Sequence, residues 1–320
     1  MITALALLGY AACAAWWVPA LLSPLTRRGV SVRAGLAAWL AAMASVLVSA
    51  AVAMEMSFRT VAADWPQLTQ DLCRSVAGNA CTPEVYGSVL YQAGVTVLAA
   101  SLALAGAVAA WRYARRVRRS RAQTRSHARA ALLVGRAIAG RARTVMLDDP
   151  RPAAYCVAGP PAAIVVTSGA LAVLDQPQLE AVLAHEGAHL AHGHHTLATL
   201  TRGLAAAFPG IPLFARGAAE VARLTEMAAD DTAARTSGRT ALAAALVAIA
   251  TGAAWSSAAF SSPGIPLGAM AAAARAVPDR VERLLRPSSP ARSAAIASAL
   301  TMVLVLLAAA PPVLTVLATR

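Results

Sequence analysis

The chain has 320 residues, of which 58% are hydrophobic and only 13% are charged. A soluble globular domain carries about a quarter charged residues, so this composition excludes an ordinary soluble protein and predicts a membrane protein. The formal net charge of +13 is also compatible with nucleic-acid binding. However, the basic residues cluster beside apolar segments, which indicates anchoring at a membrane surface. We therefore expect the lipid bilayer as a partner and no direct contact with nucleic acid.

Three apolar stretches in the first part of the chain are each long enough to cross a bilayer. They cover residues 2–22, 34–54 and about 85–111, and none contains a charged residue. Positive charges follow the first stretch rather than precede it, so we expect an uncleaved span whose N-terminus lies outside. The third stretch is followed by the arginine-rich segment 112–129, which predicts a cytoplasmic end at this membrane surface. Residues 1–129 are thus predicted to form three transmembrane helices.

A polar segment, residues 55–84, separates the second and third stretches and is predicted to be an extracellular loop. Cys73 and Cys81 both fall in it. Since they are close in sequence and on the oxidising side, we expect a disulfide between them, with two free thiols as the alternative. Cys13 and Cys156 are expected to be free.

Residues 130–287 mix polar and apolar positions as a folded domain does, and residues 288–320 supply a fourth span. Short apolar runs bounded by Gly and Pro predict strands at 144–147, 155–158 and 163–167. Asp175 is predicted to cap the next helix, with Pro177 in its first turn. The predicted fold class is mainly α: membrane helices together with a cytoplasmic α+β domain that contains a small sheet.

Two segments of this domain are predicted less simply. Residues 131–138 are expected to form a short helix ahead of the first strand. Residues 240–274 contain no charge, and we expect core and membrane-facing helices there because Ser, Gly and Pro interrupt the apolar run. A further membrane span is the alternative.

The pentapeptide from His185 to His189 reads H-E-x-x-H, and an apolar run leads into it. Residues four apart lie on one face of a helix, so His185 and His189 can bind one metal ion together. Glu186 lies beside that face, where it can take a proton from a metal-bound water. This arrangement suggests Zn²⁺ with two imidazoles, a third protein ligand and an open position for water. Five of the six histidines lie between residues 185 and 195, which argues against coincidence.

The third ligand has several candidates by residue type alone. Glu226 is attractive because it lies on a second predicted helix with Asp230 one turn further on. One acid can then bind the metal while the other accepts a hydrogen bond from a ligand's second nitrogen. The candidates are His192, His194, His195, Glu220, Glu226, Asp230 and Asp231.

The H-E-x-x-H run from Leu179, followed by Glu226-Met227-Ala228-Ala229-Asp230, resembles the integral-membrane gluzincin proteases of the M56 family and its close relative M48. The stretches 153–156 and 164–171 are similar to the edge strand and the strand-turn-helix that precede the motif in both families. The four-span layout is more similar to M56. The resemblance implies a zincin-like domain in which His185, His189 and Glu226 hold zinc.

The resemblance also implies the other roles. Glu186 matches the general base and Asp230 the acid behind the ligands, and the implied activity is zinc-dependent endopeptidase cleavage of a protein or peptide. M56 implies regulated cleavage of a cytoplasmic repressor, whereas M48 implies removal of damaged membrane proteins. His194 stands where these families often have an acid. Some M56 receptors carry an extracellular, penicillin-binding domain after the last span. This chain ends there, so the resemblance does not imply a role in β-lactam sensing.

Some questions stay open at this point. His194, His195 and Arg235 are the candidates for stabilising the oxyanion. A membrane receptor that keeps zinc only for structure is the rival from another class, although structural sites usually close all four positions with Cys or His. A transporter is disfavoured because the predicted spans contain no ionisable residue.

Overall fold

The computed structural model describes residues 2–27, 30–76, 83–141, 143–259, 277–286 and 289–317. Ten helices and four strands lie in these described ranges. Four of the helices are long and apolar enough to cross a membrane, and a small mixed sheet lies between the third and fourth of them. The predicted fold class, membrane helices with an α+β domain, is therefore confirmed.

The four candidate spans account for most of the long helices. They are α1 (Ile2–Thr26), α2 (Val32–Val76), α3 (Pro83–Val134) and α10 (Pro290–Leu317). Helix α2 packs against α1, α3 and α10, and also against helix α7 (Pro212–Ser237) of the folded domain. Trp39 and Leu22 are fully buried where these helices meet. The spans and the folded domain therefore share one core.

The prediction of a loop over residues 55–84 was wrong for its secondary structure, because α2 continues to Val76 and α3 begins at Pro83. The physical reason is local: residues 55–76 hold no Gly and only one Pro, the two residue types that disfavour a helix most. The polar residues of this segment belong to a helix that continues beyond its apolar, membrane-spanning part. The expected Cys73–Cys81 disulfide lies outside the described residues.

The sheet has four strands in the order β1-β2-β4-β3. They are β1 (Arg136–Ala137), β2 (Thr144–Leu147), β3 (Ala154–Val157) and β4 (Ala163–Thr167). Strands β2 and β4 are parallel, whereas β3 pairs antiparallel with β4 and forms one edge of the sheet. The helix predicted over residues 131–138 was wrong in its second half, because α3 ends at Val134 and β1 follows Gly135. A Cβ at Gly135 would lie 2.5 Å from the carbonyl oxygen of Ala131, so only glycine permits this close turn.

Six helices follow the sheet before the last span. They are α4 (Ser168–Val173), α5 (Gln176–Ala191), α6 (His194–Ala207), α7 (Pro212–Ser237), α8 (Arg239–Ala259) and α9 (277–285). Asp175 caps α5 as predicted: its carboxylate accepts from the backbone N–H of Gln178, whose side chain accepts from the N–H of Asp175. Helix α5 packs against α7 and α8. Gly238, at φ 87°, ends α7.

The charge-free segment 240–274 is described only up to residue 259. Its first part, within α8, packs against α5 and α7, and Leu242 and Ala245 are fully buried there. Helix α8 has 21 residues, about the length that spans a bilayer, so a further membrane span stays an alternative for this segment. Residues 260–276 lie outside the described ranges.

Candidate metal centre

Helices α5 and α7 bring three potential metal ligands together. His185 and His189, one turn apart on α5, have Nε2 atoms 3.2 Å from each other. Glu226, on α7, places Oε2 3.5 Å from Nε2 of His185 and Oε1 3.5 Å from Nε2 of His189. Among the described residues, this is the one group of three such side chains whose ligand atoms converge.

The spacing of these atoms fits a zinc ion. Zinc binds nitrogen and carboxylate oxygen at about 2.0–2.2 Å in tetrahedral sites, so two of its ligand atoms lie about 3.3 Å apart. The three separations of 3.2, 3.5 and 3.5 Å agree with that value. Three protein ligands also leave one tetrahedral position open, as catalytic rather than structural zinc sites do.

The charges around the ligands fit a divalent cation as well. Three carboxylates, those of Glu186, Glu226 and Asp230, stand around the histidines, and the Arg280 guanidinium contacts two of them. When all are ionised, their sum is −2, which a divalent ion neutralises. Buried like charges are unfavourable without such compensation.

The two histidines differ in protonation. Burial opposes a charge on His185, yet its contacts with Asp230 and Glu226 raise its pKa to about 9. Burial lowers the pKa of His189 to about 4. Because a metal binds only the unprotonated imidazole nitrogen, metal binding has to displace a proton from His185 but none from His189.

Asp230 and Arg280 contact two of the potential ligands, His185 and Glu226. Oδ1 of Asp230 lies 3.1 Å from Nδ1 of His185. Arg280, on α9, donates to both carboxylate oxygens of Asp230, at 2.6 and 2.8 Å, and its Nη1 lies 3.3 Å from Oε2 of Glu226. Burial raises the pKa of Asp230, but these hydrogen bonds outweigh it and hold the pKa at about 2. The carboxylate next to His185 is thus kept ionised.

A cavity of about 280 Å³ opens beside the ligands, and Glu186 lines it together with His195 and Thr225. Burial raises the pKa of the Glu186 carboxyl. A raised pKa makes a carboxylate a better acceptor of protons near neutral pH. Glu186 therefore lies beside the proposed ligands, where a general base would act, and its assignment as the base stays a prediction.

The edge strand β3 forms one wall of this cavity through Tyr155 and Cys156. Sγ of Cys156 lies 3.0 Å from Nε2 of His195, and burial raises the pKa of the thiol. The hydroxyl of Tyr155 lies 3.3 Å from Nε2 of His127 on α3. An extended segment could therefore reach the ligands alongside a strand edge.

Several of the residues predicted from sequence do not face the cavity. Glu220 pairs with Arg223, and Asp231 pairs with Arg283. Arg235, one of the three candidates for the oxyanion, donates to Thr232 and is absent from the cavity lining. The structure does bring together His185, Glu186, His189, Glu226 and Asp230, with His194 and His195 beside them.

Sequence reasoning missed Arg280 and Arg202. Arg202 lines the cavity from α6, and Arg280 arrives from a helix 50 residues after Asp230. The signal that could have found Arg280 is its position in an amphipathic basic segment of a domain with few acids. That signal does not say which acid it meets.

The arrangement consists of a His-Glu-x-x-His helix, a carboxylate as the possible third ligand and an adjacent edge strand. It is the type of site found in zinc metallopeptidases. Comparison with known proteins points the same way. Residues 116–211 match the model of "Peptidase family M48". The match is thus to M48, the family that the sequence analysis gives as the close relative of M56. The M56 assignment stays a prediction.

Curated relatives give the same result over a similar share of the chain. A "Protease HtpX homolog" of Ralstonia nicotianae is 34% identical over 85 residues, which are 26% of this chain and 30% of that protein. A homolog of the same name from Limosilactobacillus fermentum is 36% identical over 75 residues, 23% of this chain and 25% of that one. The chain thus matches less than a third of the length of these relatives. No solved structure matches it.

Proposed function

We propose that the chain is a membrane-embedded, zinc-dependent endopeptidase. His185, His189 and Glu226 hold the zinc, and Glu186 is the general base. The observation that carries this proposal is the convergence of three ligand atoms, 3.2–3.5 Å apart, at a cavity that Glu186 also lines. The match to an M48 peptidase model supports it.

The residues divide the chemistry among themselves. When bound, zinc supplies Lewis-acid polarisation of the scissile carbonyl and of water. The carboxylate of Glu186 accepts a proton from the attacking water and delivers it to the leaving amine. Asp230 holds the ring of His185 in place by its contact with Nδ1. The substrate lies extended beside β3, adding to the edge of the sheet near Tyr155.

The membrane location suggests what the enzyme acts on. The arginine-rich segment 112–129 favours a domain on the cytoplasmic side. The substrate is then a cytoplasmic protein, such as a transcriptional repressor, or the cytoplasmic part of a membrane protein. The match to an M48 peptidase model fits membrane-protein quality control as well as it fits repressor cleavage.

Metal content tests the site first. The detergent-purified protein should contain about one zinc per chain, and Glu226→Ala should lose it or hold it much more weakly. Asp231→Asn, at a neighbouring acid of the same helix that pairs with Arg283 instead, should retain zinc. A wild-type protein that takes up no zinc after loading would contradict the proposal.

Cleavage tests the chemistry separately. Glu186→Gln should keep zinc but lose cleavage of an unfolded protein such as casein or of a membrane-protein substrate. Glu180→Gln, at an exposed acid on the same helix, is the matched control and should cleave like the wild type. Zinc retention without any cleavage by the wild type would favour the non-catalytic receptor instead.

A further inference from the structure

His194 lies next to a metal ligand although it belongs to the following helix. Helix α5 ends at Ala191, and Gly193 adopts a left-handed conformation with φ 64°. This turn brings the first residue of α6 back toward the last turn of α5. His194 is only 5% exposed there, and its Nδ1 lies 3.0 Å from Nδ1 of His189. The two rings meet edge to face, at 86°.

The chemistry of a zinc-binding imidazole fixes what this contact has to be. His189 presents Nε2 to the metal position, at 3.2 Å from Nε2 of His185. A neutral imidazole that binds through Nε2 carries its proton on Nδ1, which then needs an acceptor. The atom facing Nδ1 of His189 is Nδ1 of His194. His194 can accept that proton only as the tautomer with its own proton on Nε2.

Each ligand histidine therefore has a partner of its own on its second nitrogen. Asp230, from α7, lies 3.1 Å from Nδ1 of His185 in an ion-pair contact that lacks hydrogen-bond geometry, and His194, from α6, faces Nδ1 of His189. The two partners differ in charge. A second carboxylate beside His189 would add to the three already present, whereas a neutral imidazole accepts the hydrogen bond without adding negative charge. The three carboxylates thus stay balanced in charge by one divalent ion together with Arg280.

We propose that His194 is a positioning residue for the metal: it accepts the Nδ1–H of His189 and holds that ring in its ligating orientation. This inference rests on the proposed zinc site.

The test is zinc affinity, measured by competition with a chromophoric chelator on the full-length protein in detergent. His194→Leu cannot accept a hydrogen bond and should bind zinc about 10–100-fold more weakly than the wild type. His194→Asn places its amide oxygen at the same reach as Nδ1 and should restore most of the affinity. His127→Leu is the control, since His127 is exposed and its ring contacts Tyr155 rather than His189 or His194.

The outcomes separate the alternatives. Weak binding by His194→Leu, with near-normal binding by His194→Asn and His127→Leu, supports the inference. Equal zinc affinity in the wild type and His194→Leu overturns it, as does an equal loss in the Leu and Asn variants, which would indicate packing alone. Should His194→Leu fail to fold, His194→Ala replaces it in the same comparison. A wild type that binds no zinc overturns the proposed metal site itself, and this inference with it.

Discussion

Replacing Arg280 by Met should destabilise the folded protein strongly. Asp230 is fully buried, and two hydrogen bonds of 2.6 and 2.8 Å tie its carboxylate to the Arg280 guanidinium, which is 12% exposed. Met fills similar volume but leaves the carboxylate without its cation. Removing one partner of such a buried pair costs about 3–5 kcal/mol.

Thermal unfolding of the zinc-free protein in detergent measures this cost. At about 2–4 °C per kcal/mol for a protein of this size range, the midpoint should fall by about 6–20 °C. Arg286→Met, six residues further along the chain, is the matched control. Arg286 is highly exposed, and its nearest acid is Glu282 at 3.9 Å, also exposed, so its midpoint should barely move.

A double variant separates stability from metal binding. Adding Asp230→Asn to Arg280→Met removes the unpaired charge, so the midpoint should recover by more than half of the loss. Zinc affinity should stay weak, because His185 no longer has a carboxylate on Nδ1. The reasoning would be refuted if the Arg280→Met protein had the same unfolding midpoint as the wild type. It would also be refuted if the double variant had a midpoint as low as that of the single variant.

Three further predictions concern local features around the site. Asp175→Ala removes the cap shared with Gln178 and should cost about 1 kcal/mol of stability, read from the unfolding midpoint. Gly169→Ala should cost about 1–3 kcal/mol or prevent folding in the same assay, because its Cβ would lie 2.2 Å from the carbonyl oxygen of Pro150. The thiol of Cys156 should resist alkylation at pH 8 in the folded protein and react after denaturation, as mass spectrometry would show, because burial raises its pKa and keeps it protonated.

The parts of the site that the sequence predicts well are those set by local rules. The four-residue spacing of His185 and His189 places both on one face of a helix whatever surrounds it. Asp175 and Pro177 mark where that helix begins, by capping chemistry that also involves neighbours in sequence. The strand β4 likewise follows from a β-branched run between Pro161 and Ser168.

The parts that it does not predict depend on distant contacts or on the solvent. Arg280 meets Asp230 across 50 residues, and no periodicity tells which of 28 basic residues will do so. The length of α2 beyond residue 55 was also missed, because polar composition says where a helix leaves the membrane and not where it ends. His194 was considered as a ligand and for the oxyanion. Its contact with His189 depends on the left-handed turn at Gly193, which sequence alone suggests only weakly.

Helix α7 explains how the spans and the metal site belong to one structure. Arg223 donates to the carbonyl oxygens of Thr26 and Arg27, at 2.7 and 2.8 Å, and so satisfies the last turn of α1. The side chain of Thr26 donates to Glu220 and accepts from the indole of Trp39 on α2. Apart from the exposed bond between Arg223 and Arg27, these contacts are buried or partly buried, where hydrogen bonds are costly to break. Because Glu226, the proposed third ligand, lies one turn beyond Arg223 on the same helix, its position follows from how α1 and α2 pack. The proposed metal centre is therefore built partly by the membrane helices and is not a separate module attached to them.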